Sequence, residues 1–162
     1  MYMKYKIYCD GATSNNGYSN AVGGYAGVVL NENEEIIYEY AIGPIAGATN
    51  NRMELYAALE GLWYCVDHFS EDNELYVDVY TDSAYLHNCM RAGWYKKWVQ
   101  NGWINSGRQP VANKDLWEAL IPFFEDMRFG FYKVKGHTGE NDWNDYVDKL
   151  AVKAKTQEVS NG

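Results

Sequence analysis

Two aspartates end segments that read as strands. Asp10 closes the run IYCD before Gly11, and Asp82 follows YVDVYT, in which Val77 and Val79 alternate with polar residues. Each alone has an ordinary local job: Asp10 opening a turn with Gly11, Asp82 capping a helix that begins at Ser83. As a pair they imply more. If the two strands are adjacent and parallel, both carboxylates emerge at one edge of the sheet. Two anions that close repel, and one takes up a proton unless a cation stands between them. Oxygen ligands with no His or Cys beside them suit Mg²⁺ or Mn²⁺ better than zinc. Glu54, in the first turn of a helix, and Asp148, near the start of the last one, can reach the same edge. Capping or helix-dipole roles would also account for either acid. Asp142 and Asp145 share the start of the last helix, and position does not select among the three.

The elements that must carry these acids follow from periodicity. Residues 4–10 read as a strand, residues 24–30 and 35–42 as a hairpin, and the Asn/Gly/Ser-rich stretch 14–24 as a loop. Asn51 is the expected cap of a helix to about residue 68, in which Leu55, Leu59, Leu62, Val66 and Phe69 recur at helical spacing. A strand at 74–81 follows, then two short helices across 83–101 broken near Gly93, then a loop. A helix at 114–127 contains Pro122, a possible kink. A last strand at 129–135 precedes a helix capped by Asp142. The order β-β-β-α-β-α-α-α-β-α joins a three-strand antiparallel meander to two β-α-β crossovers, which pair their strands in parallel. The fold class is α/β: a five-stranded mixed sheet flanked by helices. The chain reverses direction at the first strand, and ligands bind such sheets outside the carboxyl ends of the strands there.

Composition narrows the class. A chain of 162 residues is one domain, here residues 1–156 with a polar tail at 157–162. No run of about 18 apolar residues could cross a membrane, and the N-terminus lacks the apolar centre of a signal peptide. Cys9, Cys65 and Cys89 form no CxxC pair, which argues against a disulfide framework or structural zinc and fits a reducing cytoplasm. The net charge of −8 speaks against binding nucleic acid by global charge, yet residues 83–114 carry +5 and the remainder −13. That basic segment also holds Trp94, Trp98 and Trp103.

At these residues the chain resembles the type 1 ribonucleases H. The resemblance runs from about residue 4 to 155 and rests on Asp10–Gly11, TNNRMEL (49–55), TDSAY (81–85), GWYKKWVQNGW (93–103), KGHTG (135–139) and NDYVDKLA (144–151), in order. It implies the ribonuclease H-like fold and endonucleolytic cleavage of the RNA strand of an RNA–DNA hybrid, leaving 5′-phosphate and 3′-hydroxyl ends. It assigns metal binding to Asp10, Glu54, Asp82 and Asp148, which hold two Mg²⁺ ions in the substrate complex, with Mn²⁺ a possible substitute. His137 matches the histidine of a mobile loop that assists product or metal release.

For the hybrid, the resemblance points to Asn50 and Asn51 as readers of 2′-hydroxyls and base edges in the minor groove. Thr49 and Asn113 match part of a pocket for a DNA-strand phosphate. Tyr85, Trp94 and Ser106 match the DNA-strand channel, and Thr13 and Asn88 join the substrate contacts. Arg91, Lys96, Lys97 and Arg108 belong to a basic protrusion that grips backbone phosphates in a salt-sensitive way. Departures from the family pattern are Ala12 for a serine, Gly47 for an arginine, Val99–Gln100–Asn101 where cations are common, and a longer loop from Thr13 to Gly23. A monomer without a separate hybrid-binding domain is expected. Two rival readings are a non-catalytic hybrid-binding module and another nuclease of this fold.

Overall fold

A computed structural model describes residues 2–69, 74–135 and 142–156. Among them the elements follow the expected order: β1 (Tyr2–Ser14), β2 (Val22–Leu30), β3 (Ile36–Ala46), α1 (Asn50–Phe69), β4 (Glu74–Thr81), α2 (Ala84–Ala92), α3 (Trp94–Asn101), α4 (Lys114–Phe124), β5 (Phe129–Lys133) and α5 (Trp143–Lys155). The sheet order is β3-β2-β1-β4-β5. The meander is antiparallel, and β4 pairs in parallel with both β1 and β5. The first strand therefore sits at the centre, as the crossover argument requires.

Side-chain alternation sends the two faces of the sheet to different helices. On β1, Tyr5, Ile7 and Cys9 are buried in the main core, which they share with Leu55, Leu59 and Leu62 of α1 and Trp117 and Leu120 of α4. On β2, Val29 joins that core, while Val28 and Leu30 pack with Val147 of α5 on the other face. Covered on both sides, β2 is buried over nearly its whole length, and its sequence reads as a continuous apolar run instead of alternating. Gly23 and Gly24 mark close approaches on opposite faces: a Cβ at Gly23 would stand 2.5 Å from Ala48 Cβ and 2.9 Å from Met53 Cγ, and one at Gly24 would stand 2.6 Å from Lys155 N.

Several boundaries differ from those expected. β1 does not stop at Asp10 but runs to Ser14, because residues 11–14 continue their pairing with β2 from Tyr25 back to Val22. Part of the expected 14–24 loop is therefore strand. β3 extends through Pro44, which an edge strand tolerates. α1 begins at Asn50, and its cap is Thr49, whose Oγ1 accepts from Arg52 N at 3.1 Å, in place of Asn51. α4 ends at Phe124, with Pro122 in its last turn. β5 ends at Lys133. The break between α2 and α3 falls at Gly93, with φ 69°, where a left-handed backbone favours glycine.

Candidate active site

Tyr8 and Tyr80 are the last paired residues of β1 and β4. Asp10 and Asp82 stand two residues beyond them on each chain, so both carboxylates leave the sheet at the same level. Asp10 is buried inside a strand, where no turn with Gly11 forms; its Oδ1 accepts from Gly11 N at 2.9 Å. Asp82 is not the helix cap either. That job belongs to Ser83, whose side chain accepts from Leu86 N at 3.0 Å. The ordinary local roles of both aspartates are therefore gone.

Glu54 reaches this edge across Gly11. A Cβ on Gly11 would lie 2.6 Å from Met53 Cβ and 2.7 Å from Glu54 N, so α1 is seated against bare backbone. Oxygens of Asp10, Glu54 and Asp82 lie within 4.8 Å of one another. Asp148 lines the same groove. Geometry separates the three acids of α5 that position alone left open. Asp142 caps the helix by accepting from Asp145 N at 2.9 Å, Asp145 is buried away from the groove, and Asp148 hydrogen-bonds Asp10.

The electrostatics are those of crowded anions. Burial, then the charge of Glu54, raises the Asp10 carboxyl far above the usual carboxylate range; burial likewise raises Glu54. Both shifts favour the protonated form of these carboxyls when no cation stands between them. Glu54 Oε2 is buried with no hydrogen-bond partner among the described residues. An orphaned carboxylate oxygen among hard oxygen donors from three separate elements fits a divalent cation such as Mg²⁺ or Mn²⁺.

The groove over these acids has a volume of about 530 Å³ and is also lined by Thr13, Asn50, Asn51, Tyr85, Val152 and Lys155. Asn50 and Asn51 are exposed at the start of α1. A second groove of about 430 Å³ lies on the basic segment and brings Trp94, Lys97 and Ser106 together. Trp98, four residues from Trp94, turns inward against Trp117, with ring centroids 5.8 Å apart. Lys96 is exposed, with its Nζ 6.0 Å from the Tyr95 ring centre. Asn88 is exposed on α2 and lines neither groove. His137 lies outside the described residues.

Between the two grooves runs a network that sequence reasoning missed. The Tyr85 hydroxyl accepts from Asn113 Nδ2 and from Trp117 Nε1, both at 3.2 Å. Asn113 Oδ1 accepts from Arg52 at 3.2 Å, and Arg52 also forms a fork with Asp115 at 3.0 and 2.7 Å. Arg52 thus fastens the start of α1 to the start of α4. No local pattern announces it, because Arg52 and Asp115 are 63 residues apart.

Comparison with known proteins matches residues 3–156 to the family model described as RNase H. The curated ribonuclease H of Syntrophomonas wolfei is 42% identical over 149 residues, covering 91% of this chain and 93% of its own. Among solved structures, LC9-RNase H1, described as a type 1 RNase H with the type 2 active-site motif, is 26% identical. It matches with a TM-score of 0.76 over 100% of this chain and 77% of its own. LC11-RNase H1, solved in complex with an RNA/DNA hybrid, is 20% identical with a TM-score of 0.65, over 94% of this chain and 96% of its own.

Proposed function

The chain belongs to the ribonuclease H family, and from that membership we propose that it is an endoribonuclease that cuts the RNA strand of RNA–DNA hybrids. The observation that carries this reading is the meeting of Asp10, Glu54 and Asp82 within 4.8 Å, with Asp148 in the same groove. A disused descendant of such a fold has no need to keep a buried carboxylate cluster, which costs stability when it is left unpaired. Among the described residues no helix is long and apolar enough to cross a membrane. The enzyme acts as a cytoplasmic monomer.

In this mechanism Asp10, Glu54, Asp82 and Asp148 would hold two divalent ions, Mg²⁺ or Mn²⁺, at the site of cleavage. When bound, these ions supply Lewis-acid charge that activates water and stabilises the leaving 3′ oxygen. The remaining work falls to the chain. The buried pair Asp10 and Glu54 would serve as ligands in its deprotonated form. Asn50 and Asn51 offer side-chain amides to the minor groove, where the 2′-hydroxyl distinguishes RNA from DNA. Thr13 supports the same strand beside the carboxylates.

Tyr85, Trp94 and Ser106 guide the DNA strand, with Asn88 beside them and Thr49 and Asn113 at one of its phosphates. Lys96 and Lys97 contribute salt-sensitive backbone contacts. His137 assists product or metal release. The products carry 5′-phosphate and 3′-hydroxyl ends.

The test is a gel assay with end-labelled hybrid, duplex RNA and duplex DNA, in Mg²⁺ or EDTA. Cutting of only the hybrid's RNA strand, lost in EDTA, is expected. Binding of hybrid without cutting in either Mg²⁺ or Mn²⁺ would replace the enzyme with a binding module.

A further inference from the structure

The carboxylate groove has an odd charge balance for a site that receives a polyanion. Among its described lining residues Asp10, Glu54, Asp82 and Asp148 are acids, and Lys155 is the only cation. Lys155 follows Asp148 by seven residues on α5, about 10 Å along the helix axis. Its backbone is pinned there by contact with Gly24, where a Cβ would stand 2.6 Å from Lys155 N. The residue is half-buried, and among the described residues no carboxylate forms a salt bridge with it.

Resting on the ribonuclease H reading above, we propose that Lys155 binds a backbone phosphate of the RNA strand, within about three nucleotides of the cut. The strand follows from placement. Tyr85 and Ser83 flank the carboxylates on the side of α2, which leads toward the Trp94 groove and the uncut strand. Lys155 shares α5 with Asp148 and packs on β2, the strand that pairs with β1 through Thr13. A strand whose scissile phosphate lies on the acids and which continues past Thr13 meets Lys155 next. One strand carries a phosphate about every 3.4 Å of helix axis, so the span from Asp148 covers two or three of them. Lysine serves here as a point charge at the end of a flexible stem. It offsets repulsion between the incoming backbone and the acids without neutralising the acids themselves. A cation in the last turn of a helix also answers the helix dipole. Lys153 does so equally from an exposed position outside the groove, and therefore serves as the control.

The experiment compares wild type, Lys155→Ala, Lys155→Arg and Lys153→Ala in the full chain. KM and kcat are measured on hybrid with Mg²⁺, and the salt dependence of binding on an Asp10→Asn background. For Lys155→Ala a KM increase of about five- to tenfold is expected, with kcat within about twofold and the slope of log K against log salt reduced by about 1. Lys155→Arg restores the slope, and Lys153→Ala leaves KM unchanged. A hybrid with one neutral methylphosphonate, moved along the RNA strand, weakens wild type at one position near the cut and leaves Lys155→Ala indifferent there. An unchanged KM and slope in Lys155→Ala, while wild type still cuts hybrid, overturns the proposal alone. A response confined to the DNA strand overturns the strand assignment. A wild type that neither cuts nor binds hybrid overturns the ribonuclease H reading and this proposal with it.

Discussion

Gly11 and Met53 are packed so closely that a Cβ on the glycine would stand 2.6 Å from the methionine Cβ. This contact sets the depth at which α1 lies on β1, and the next residue of α1 is Glu54. Gly11→Ala must push the helix outward. Overpacking of this kind costs about 1–3 kcal/mol, a fall of roughly 2–12 °C in Tm at this chain length. Glu54 would move off the acid cluster, so the loss of kcat should exceed the loss of stability. Positioning errors of about 1 Å cost on the order of 100-fold in rate. Thermal melting and steady-state cleavage of hybrid check both. A variant with wild-type kcat would show that the packing at Gly11 does not place Glu54.

Asp10→Asn separates activity from stability. Cleavage should vanish while the fold survives. In EDTA the variant should be more stable than wild type, because a neutral amide removes the cost of keeping a carboxyl protonated among buried anions. The sign with pH follows from the raised folded-state values of Asp10 and Glu54, caused first by burial. A carboxyl with a raised folded value binds more protons folded than unfolded. Its stabilisation is full below the unfolded value, about 4, and is lost as pH rises through the folded value. Wild type without metal should therefore lose stability from about pH 4 upward, and Asp10→Asn should gain on the order of 1–3 kcal/mol over it at about pH 8. Mg²⁺ should restore wild type and leave the variant nearly unmoved. Melts across pH with and without Mg²⁺ read all of this. Equal slopes for the two proteins would remove the crowded-anion account.

The order of elements and the central place of β1 were legible because apolar periodicity and crossover handedness are local rules with global consequences. The ends of elements were not. β1 continues past Asp10 because Gly11–Ser14 find partners on β2, a pairing that no local preference announces. Thr49 and Ser83, not Asn51 and Asp82, take the caps, since several polar residues compete for one turn and the entry angle of the chain decides. For the site, residue position left open which acid of α5 joins the others and the resemblance named Asp148; in the structure Asp148 lines the groove, while Asp142 caps the helix and Asp145 is buried outside it. Arg52, Asn113, Tyr85 and Trp117 come together only through tertiary structure, and their hydrogen bonds left no pattern in the chain.

Tyr85→Phe tests that network. The hydroxyl accepts from the indole N–H of Trp117, which is fully buried. Without it a buried donor is left unpaired, at a cost of about 1–3 kcal/mol. Asn113 Nδ2 loses its acceptor as well, leaving that side chain held only through its Oδ1 by Arg52. Stability by denaturant melt should fall by that amount with unchanged m. KM for hybrid should rise more than kcat falls, since neither residue belongs to the acid cluster. A neutral effect on stability would mean that Trp117 has another acceptor.

Trp94 and Trp98 are four residues apart on α3, yet the structure gives them opposite work. Trp98 packs against Trp103 and Trp117, at centroid distances of 5.9 and 5.8 Å, and so joins the main core. Trp94 is 40% exposed and lines the groove with Lys97 and Ser106. Removing the inward ring opens a cavity, for which a Trp→Ala change costs roughly 3–5 kcal/mol when fully buried. For the partly buried Trp98 a loss near the lower figure is expected. Removing the outward ring takes away a stacking surface worth about 1–3 kcal/mol per base in single-strand binding, and leaves the core intact. Trp94→Ala should therefore weaken hybrid binding with little change in Tm, and Trp98→Ala should lower Tm first. The ratio of the two effects is the diagnostic quantity, because α3 is short and a variant that unwound it would lose both together. Melting and hybrid binding measured on the same two variants decide it: a Trp94→Ala protein that binds as wild type would take the aromatic side of this groove out of substrate recognition and leave the contact to Lys96 and Lys97.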